Sequence, residues 1–539
     1  MKHFLIAIIS LMPLLAQAQK ESLANLIQAG NRKAALDRIR AGADVNEAQP
    51  DGTRPVHWAV FRLDHELLGA LIAKKAKVDV TNEFGSTPLA EAVKLADATV
   101  VKMLLTAGAK PESPNLDDET ALMLAVKTGE LPVVEMLIHA GANVNVVEKF
   151  RNQTPLMYAA AATKNAGEMV KLLLSKGANV KARALYNDWP SQITSEPRAQ
   201  YRPVGGLTAM LYAARGGCNS CIEALLAAGA DVNVPTPEGV TPLILALDND
   251  HNDTAKLLLD RGANPNAWDW WGRTALYIVV DRKETLSAGT GRGGAAGRAG
   301  AGRGVAPLAS EAARVSSMDI IRVLLAADVD PSPQLNMHRP SRGGNSGRFI
   351  DPLLSTGCTP LLRATMASDM EVIRALLDKG ASPNINDVGL TAFLVAAGVG
   401  TGSRGGTGLA AAASAGGAPN VALMDLLIQH GADVNTQITG TKTYSMRIAR
   451  APSSNEGMTA LHAAAQARRT DLVRYLLAKG AKTNLLDSNG RKAIDLLASA
   501  TPAVGAGVRG GPAGVSPASV SPASATEIRT LLENATERK

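Results

Sequence analysis

Cys218 and Cys221 are separated by two residues, a spacing at which two thiols can form a disulfide or exchange with one. The pair lies at the start of a stretch with helical periodicity, and a helix N-terminus stabilises the thiolate of a redox cysteine. Cysteine also packs as a small apolar residue, and no thioredoxin-like strand pattern surrounds the motif. The sequence therefore leaves three interpretations of the motif open: a redox pair, a disulfide or two packing residues. Metal binding would need two further ligands, and Cys358 is far along the chain.

Other signatures of catalysis do not stand out in the sequence. Apart from His57 and His462, the histidines are scattered and lack the spacing of metal ligands. There is no nucleophile elbow, phosphate loop or pair of carboxylates, and the Gly-Arg-Gly sequence at 291–293 lies in low-complexity sequence. The sequence therefore predicts no catalytic residue, no metal and no cofactor, and it favours binding over an enzymatic activity.

Aromatic residues make up only 3% of the chain, and three of the five tryptophans lie in one turn. Tryptophan in an exposed turn is costly unless it is covered, and tryptophan is enriched among the residues that dominate binding interfaces. One hypothesis is that these side chains contact a partner; the alternative is that a neighbouring insertion covers them. The predicted partner-binding residues are Trp268, Trp270, Trp271, Tyr186, Trp189 and Tyr201.

The elements that must position these residues come from a phrase that recurs along the chain. A threonine followed by Pro or Ala and an apolar residue returns about every 33 residues where nothing is inserted. The threonine hydroxyl can accept a free backbone N–H at a helix start, and Pro suits the first helical position. The phrase begins at Thr87, Thr120, Thr154, Thr208, Thr241, Thr274, Thr359, Thr391 and Thr459.

Each unit then continues in the same order. An apolar run such as 156–160 predicts a first helix, and a run with helical spacing such as 133–138 predicts a second. A Gly-Ala pair ends the second helix, because glycine adopts the left-handed conformation of a helix cap. A polar extended segment such as 231–233 leads into the next turn.

In this order the residues resemble ankyrin repeats. We count twelve units between residues 21 and 535, the first of them partial. The resemblance implies an all-α solenoid of helix-turn-helix units with short β-hairpin-like fingers, which binds a partner protein through its concave face and fingers. It also implies that His57 and His462, in the fourth place of the phrase, form structural hydrogen bonds between turns rather than acting as a ligand or base.

Long insertions interrupt the predicted array, which spans residues 19–498. Those at 183–205, 331–350 and 436–454 precede a threonine phrase, on the finger side. Those at 285–310 and 398–420 separate the two helices of a unit, at the opposite end. A linker rich in Gly, Pro and Ser, 499–525, precedes the last helix and tail, 526–539. The composition of the Gly-rich insertions predicts flexible segments, since they cannot bury enough apolar surface to fold alone.

Positive charge is concentrated in these insertions and the linker. Apart from the insertion at 183–205, they contain 11 Lys and Arg residues and no Asp or Glu, and these 11 positive charges exceed the net charge of +7 for the whole chain. Basic loops favour anionic partners such as lipid headgroups or acidic proteins, with an attraction that salt weakens. The alternative is that the loops are merely solvated. Because export is predicted, nucleic acid is not the expected partner.

The first residues predict export. Lys2 precedes an apolar stretch at 4–15, and Ala16, Gln17 and Ala18 form a small-x-small cleavage pattern. We expect a signal peptide, 1–18, cleaved after Ala18, and a periplasmic or secreted bacterial protein. No later segment has the roughly 20 apolar residues of a membrane helix.

The leading functional hypothesis is therefore an exported, non-enzymatic scaffold that binds another protein. Three alternatives stay open: a periplasmic redox helper that uses Cys218 and Cys221, attachment to the cell envelope through the basic loops, and a host-directed effector.

Overall fold

The computed structural model describes residues 22–187, 204–289, 315–335, 357–385, 389–399, 419–439, 456–497 and 522–537. The described residues separate into two compact units, with residues up to 187 and 204–236 in unit 1 and residues from 237 onward in unit 2. The predicted signal peptide, Trp189 and Tyr201 lie outside the described residues, as do most residues of the insertions.

Unit 1 contains six pairs of short α-helices and one pair of two-residue strands. In chain order they are α1 (Leu23–Gln28), α2 (Arg32–Arg40), α3 (Pro55–Phe61), α4 (His65–Ala73), α5 (Pro88–Lys94), α6 (Ala98–Thr106), α7 (Ala121–Thr128), α8 (Leu131–His139), α9 (Pro155–Ala160), α10 (Ala166–Ser175), β1 (Tyr186–Asn187), β2 (Val204–Gly205), α11 (Ala209–Gly216) and α12 (Asn219–Ala227). Strands β1 and β2 are antiparallel, with Tyr186 opposite Gly205.

Unit 2 continues the same alternation and ends in a 3₁₀-helix followed by one longer helix. Its elements are α13 (Pro242–Asp248), α14 (Asn252–Asp260), α15 (Ala275–Gly289), α16 (Ser317–Ala326), α17 (Pro360–Ala367), α18 (Met370–Asp378), α19 (Ala392–Ala396), α20 (Val421–Gln429), α21 (Ala460–Gln466), α22 (Thr470–Ala478), the 3₁₀-helix Ala493–Leu497 and α23 (Pro522–Glu537). Two boundaries differ from the sequence expectation: α15 extends four residues past 285, and α23 begins inside the predicted linker.

Each repeated threonine directly precedes the first helix of its pair, as predicted. Thr87 Oγ1 accepts the amide of Ala90 at 3.1 Å, and Thr359 Oγ1 accepts that of Leu362 at 3.1 Å. Thr120 is the exception: α7 has no side-chain cap, and its buried Oγ1 has no hydrogen-bond partner. A cap of this kind stabilises a helix by about 1 kcal/mol.

The two helices of a pair contribute different residue types to the core, alanine from the first helix and leucine from the second. In five of the six pairs of unit 1, the first helix buries an alanine completely at the same place and the second helix buries a leucine. Alanine lets neighbouring first helices approach closely, while each leucine fills the space between pairs; truncating such a leucine to alanine costs about 2–5 kcal/mol. These residues are Ala59, Ala92, Ala125, Ala159 and Ala213, and Leu71, Leu104, Leu137, Leu173 and Leu225.

A turn of constant design, here called a finger, connects one helix pair to the next. In the finger at 82–86, Asn82 N–H donates to Ser86 O (3.2 Å) and Gly85 N–H donates to Asn82 O (3.0 Å). The same two bonds close two predicted insertions: Leu335 pairs with Cys358 and Gly357, and Ile438 pairs with Met458 and Gly457. Residues 335 and 357–358, and residues 438 and 457–458, are therefore joined as in a finger.

Asparagines in the extended segments join successive pairs. Asn145 Nδ2 donates to Gly177 O (3.0 Å), and its Oδ1 accepts the amide of Asn179 (2.7 Å). Asn384 makes the same two bonds, to Gly431 O and from the Asp433 amide, each 2.8 Å long. The sequence showed these positions as polar, but their role in linking pairs is visible only in the structure.

Candidate functional site

The finger that carries the three tryptophans is organised around Asp269, which is 1% exposed. Its Oδ1 accepts the amides of Trp271 (3.1 Å) and Arg273 (2.9 Å), and its Oδ2 accepts Arg273 Nε (2.7 Å). One carboxylate therefore fixes both the turn and the side chain that closes it. We call residues 267–274 the tryptophan finger.

Arg273 anchors this finger to the helix pair beneath it. Its guanidinium also lies 3.5 Å from Asp248 Oδ1, at the end of α13. Burial disfavours the charged form, but attraction to Asp269 and Asp248 outweighs it and raises the pKa of Arg273. Burial also raises the pKa of Asp269, so each partner is held in its charged form by the other, and removing one partner would leave a buried charge uncompensated.

Trp271 belongs to the base of the finger. It is 6% exposed, and the Arg273 guanidinium carbon lies 5.2 Å from the centre of its ring. Arg273 is long enough to cover the indole, and the covered ring packs in the turn; a contact between Trp271 and a partner stays a prediction.

Trp268 and Trp270 face outward, with 61% and 41% of their surface exposed. Trp268 forms a β-bridge with Thr274, and the Trp270 amide donates to Glu238 O at 2.8 Å. Gly239 has a φ of +80°, and a Cβ there would lie 3.0 Å from Trp268 O, so the neighbouring finger fits only a glycine. The two exposed indoles thus stand on a fixed backbone.

A groove of about 500 Å³ opens beside Trp268. Its floor contains the buried Leu276 and Pro333, and exposed Asp330 and Gln334 lie at its edge. We call it the Trp268 groove; its lining residues are Pro265, Asn266, Trp268, Gly272, Thr274, Leu276, Val329, Asp330, Pro333 and Gln334. An apolar floor with a polar edge is the usual composition of a site that receives an apolar side chain.

The remaining predicted contacts are Tyr186, Trp189 and Tyr201. Tyr186 is 47% exposed, but it belongs to unit 1, whereas the tryptophan finger belongs to unit 2. Trp189 and Tyr201 lie outside the described residues, so their prediction is unchanged.

Sequence reasoning missed a second group of exposed apolar side chains, in unit 1. Phe84, Leu116 and Phe150 are 70%, 66% and 63% exposed, and each lies in a finger. The available signal was an apolar residue one or two places after the polar residue that begins the finger, namely Asn82, Asn115 or Glu148. Aligning the fingers with one another would have shown it.

Cys218 and Cys221 form a disulfide. Cys218 is the N-cap residue of α12 and is partly exposed, while Cys221 lies in the first turn and is fully buried. Cys358 is a buried free thiol. Among the described residues there is no group of three or more His, Cys, Asp or Glu side chains that could hold a metal ion.

His57 and His462 have the structural role that the resemblance implied. His57 Nδ1 accepts the Arg54 amide (3.1 Å), and its Nε2 lies 3.3 Å from Ser86 O in the next finger. His462 Nδ1 accepts the Thr459 amide (3.2 Å), and its Nε2 lies 3.2 Å from Arg491 O. Burial lowers the pKa of both rings, which keeps them neutral.

A further buried acid lies on α15 in unit 2. Glu284 is 5% exposed, and one of its carboxyl oxygens has no hydrogen-bond partner. Burial, together with a hydrogen bond to the nearby Asp369 carboxylate, raises the pKa of Glu284 to about 7. Lys283 forms an ion pair with that same Asp369.

No described helix is long and apolar enough to cross a membrane.

The comparison with known families agrees with this architecture. Models of ankyrin repeats match residues 23–115, 97–184, 193–269 and 388–487, and a model of the single ankyrin repeat matches 356–388. These segments cover more than half of the chain, so the chain belongs to the ankyrin-repeat family. Ankyrin repeats mediate protein–protein interaction and are in general not enzymes.

Several curated proteins share the repeats. The chain is 26% identical to the Arabidopsis thaliana E3 ubiquitin-protein ligase KEG, 32% to the mouse B-cell lymphoma 3 protein homolog and 31% to the human mitochondrial disaggregase. The matches cover 46%, 24% and 34% of this chain, but only 14%, 33% and 23% of those proteins. The likeness is therefore confined to a third or less of each relative.

Among solved structures, the ankyrin repeat domain of human ASB11 is similar, with 24% sequence identity and a TM-score of 0.35. The match covers 45% of this chain and 98% of that one.

Proposed function

We propose that this protein is an exported, non-enzymatic scaffold that binds a protein partner at the Trp268 groove. The observation that carries the proposal is an indole that is 61% exposed beside an apolar groove, on a finger held by a buried ion pair. An anchor whose backbone is already ordered loses little entropy on binding, so more of the contact energy appears as affinity.

Two properties of the groove favour a protein as the occupant. Tryptophan buries a large area with few rotatable bonds, and such residues form the centres of protein interfaces. The polar edge at Asn266, Asp330 and Gln334 would surround that centre, as interface rims do. We infer that the partner inserts an apolar side chain between Trp268 and Pro333.

Export is part of the proposal. It is supported by the apolar stretch at 4–15 with its cleavage pattern and by the Cys218–Cys221 disulfide, since disulfides persist in oxidising compartments. Expression of the full chain in a bacterial host tests it. A mature product that begins at Gln19 in the periplasm or medium is expected; full-length protein retained in the cytoplasm would contradict export.

The binding site is tested by capture on the purified mature chain. Trp268→Ala is compared with Leu486→Ala, because Leu486 is 49% exposed at the same place in a finger built on Asp487 and Arg491. Proteins retained from the compartment of origin are quantified by mass spectrometry. We expect a partner that the unmodified chain and Leu486→Ala retain equally and Trp268→Ala retains at least tenfold less. Equal retention by all three would exclude the Trp268 groove.

Disulfide exchange is the second candidate function. The observation that favours it is the asymmetry of the cysteine pair, with Cys218 partly exposed at the start of the nine-residue helix α12 and Cys221 fully buried behind it. After reduction, Cys218 in Cys221→Ser should react with a disulfide reagent at least tenfold faster than Cys221 in Cys218→Ser. Equal rates, or no reaction of either thiol without denaturant, would leave the disulfide a structural bond.

A further inference from the structure

We propose that Glu284 and Asp369 share one proton, and that loss of this proton opens the contact between α15 and the helix pair α17–α18. The two carboxyl groups and the Lys283 ammonium are here called the carboxyl joint. All of its residues belong to unit 2, and its operation does not depend on a partner at the Trp268 groove. A contact between two repeats is thereby made sensitive to pH.

Glu284 holds the cap position of its repeat but caps no helix. In the next repeat that position, ten residues after the threonine, is Asp369, whose Oδ1 accepts the Val372 amide at 3.2 Å and starts α18. Helix α15 instead continues past Glu284, and α16 begins after a cap of its own, Ser316. The insertion between α15 and α16 has therefore separated this acid from the amides that a cap residue accepts.

Glu284 is bonded to another carboxyl group instead. It is buried, one of its oxygens has no hydrogen-bond partner among the described residues, and its side chain forms a hydrogen bond with that of Asp369. Two ionised carboxylates cannot form a hydrogen bond, because neither has a proton to donate. One proton therefore lies between the two groups. Asp369 is its acceptor, because Asp369 also holds the Lys283 ammonium and the Val372 amide.

The pKa values of the two carboxyl groups differ in the direction that this arrangement requires. Burial raises the pKa of Glu284 to about 7. Burial also acts to raise the pKa of Asp369, but hydrogen bonds from Lys283 and from the Val372 amide outweigh it and lower that pKa. Above about pH 7, Glu284 therefore carries a buried charge beside the Asp369 carboxylate. Opening the contact lets water solvate that charge, which favours the open form.

The other charged groups around α15 are held in ion pairs of their own. Helices α13, α16 and α17 pack against α15, and α18 meets it at Asp369. Arg363 of α17 favours an ionised Glu284, but its Nε lies 2.8 Å from Asp281. Arg374 and Asp378, farther along α18, are exposed. The remaining ion pairs on these elements are Arg273–Asp248, Arg282–Asp250, Arg322–Asp319 and Arg322–Glu371.

One face of α15 carries the carboxyl joint together with a buried thiol contact. Tyr277, Asp281 and Glu284 are four and three residues apart, so they lie on one side of the helix. Their neighbours on the following repeat are, in the same order, Cys358, Arg363 and Asp369. Cys358 is fully buried and lies outside the disulfide. When this face of α15 separates from α17, the Cys358 thiol becomes accessible.

Thiol labelling of the purified full chain tests the carboxyl joint. Because Cys218 and Cys221 are held in their disulfide, 4,4′-dithiodipyridine reacts with Cys358 alone. The rate is measured from pH 5 to pH 8.5 for the unmodified chain and for Glu284→Gln, which cannot ionise. Dividing the first rate by the second removes the pH dependence of the thiol itself.

The ratio of the two rates should rise at least tenfold between pH 5 and pH 8 and level off above about pH 7.5. The reason is that Glu284 has its ordinary pKa of 4.5 in the open form and a pKa of about 7 in the closed joint, so the open form gains over that interval. A ratio that does not change with pH would overturn the proposal. Failure of the reagent to label Cys358 in either chain without denaturant would also overturn it.

The matched control is Glu371→Gln. Glu371 is an exposed acid in the first turn of α18, two residues after Asp369, so this variant removes a nearby negative charge and leaves the shared proton in place. Its labelling rate should follow that of the unmodified chain at every pH. If Glu371→Gln suppresses the rise as much as Glu284→Gln does, the general charge of this region controls the contact and the shared proton does not.

Urea distinguishes local opening from global unfolding. Opening one contact exposes much less surface than unfolding the chain, so it depends less on urea. At pH 8 the labelling rate of the unmodified chain should change less than about twofold between 0 and 1 M urea. A rate that rises with urea as steeply as the unfolding equilibrium would overturn the proposal, because Cys358 would then react only in the unfolded chain.

Discussion

Asp269 holds Arg273 through both its backbone and its side chain, and the pair is buried beneath the most exposed tryptophan among the described residues. Asp487 holds Arg491 with the same bonds four residues apart, 2.9 Å to the amide and 2.8 Å to Nε. The two pairs differ in burial, since the Arg273 side chain is 10% exposed and that of Arg491 is 33% exposed. The same aspartate–arginine arrangement therefore occurs at two fingers, once with a buried arginine and once with a partly exposed one.

The difference in burial predicts unequal effects of Asp269→Asn and Asp487→Asn. Removing one partner of a buried ion pair costs about 3–5 kcal/mol, whereas a more exposed pair contributes about 1 kcal/mol or less. We therefore expect Asp269→Asn to lower the free energy of unfolding by about 3 kcal/mol and Asp487→Asn by about 1 kcal/mol. Urea unfolding followed by circular dichroism measures both. Equal losses would show that the burial of Arg273 does not determine how much the ion pair stabilises the fold.

The buried histidines predict a loss of stability in mild acid. Burial lowers the pKa of His57 and His462 below the usual 6.5, so the unfolded chain binds protons first as the pH falls. Their contribution is complete above about pH 6.5 and decreases as the pH falls toward the folded pKa. A proton on Nδ1 would also remove the acceptor of the Arg54 or Thr459 amide.

This prediction is measured as the urea midpoint between pH 8 and pH 5. The exposed His65, which lies 3.0 Å from Asp97, provides the control. His57→Asn/His462→Asn should lower the midpoint at pH 7.5 and flatten its decrease below pH 6.5, while His65→Asn should leave the decrease unchanged. A decrease of equal size in the double variant would mean that other groups cause it.

The raised pKa of Glu284 predicts the opposite dependence of stability on pH in unit 2. Its folded pKa of about 7 lies above the ordinary 4.5, so its contribution is complete below pH 4.5 and is lost as the pH rises through 7. Glu284→Gln cannot ionise and should be more stable than the unmodified chain at pH 8.5 by about 3.5 kcal/mol, since folding raises the pKa from 4.5 to about 7 and one pKa unit corresponds to about 1.4 kcal/mol. The gain should be absent at pH 4.5. A gain of equal size at both values would point to packing instead of ionisation.

Substitutions at Gly85 and Gly108 distinguish the loss of stability caused by backbone strain from the loss caused by steric contact. Both have positive φ, +68° and +96°, but only a Cβ on Gly85 meets another residue, Leu116. Gly108→Ala should cost about 1 kcal/mol from its backbone alone, and Gly85→Ala should cost more because Leu116 must move. Thermal unfolding measures both losses. If the two losses are equal, the finger at 115–119 does not rest on Gly85.

The family and the order of elements could be predicted from sequence because their signals are local. A threonine that starts a helix, a glycine that ends one and the apolar spacing between them all lie within a single repeat. Even so, Thr120 has the right sequence and caps nothing, because a cap depends on the rotamer that its surroundings allow. Local signals also left the bounds of α15 and α23 uncertain by several residues.

The candidate sites were harder to predict because exposure depends on neighbours that are distant in sequence. Trp271 and Phe84 occupy the same place in their fingers, two residues after Asp269 and Asn82. One is 6% exposed and the other 70%, since Arg273 reaches over the indole and Ser86 cannot reach over the phenyl ring. The aromatic content of a finger is visible in the sequence, but which side chain covers each ring depends on the folded turn.

By itself the sequence determined the repeating unit, its number and its family, because each unit repeats one set of short-range interactions. Tertiary structure alone decided which side chains of those units reach solvent. It buried Trp271, left Trp268 exposed beside a groove and aligned Phe84, Leu116 and Phe150 on adjoining fingers. The physical reason is that burial is set by contacts between successive repeats, and the residues that make them are about 30 positions or more apart in the chain.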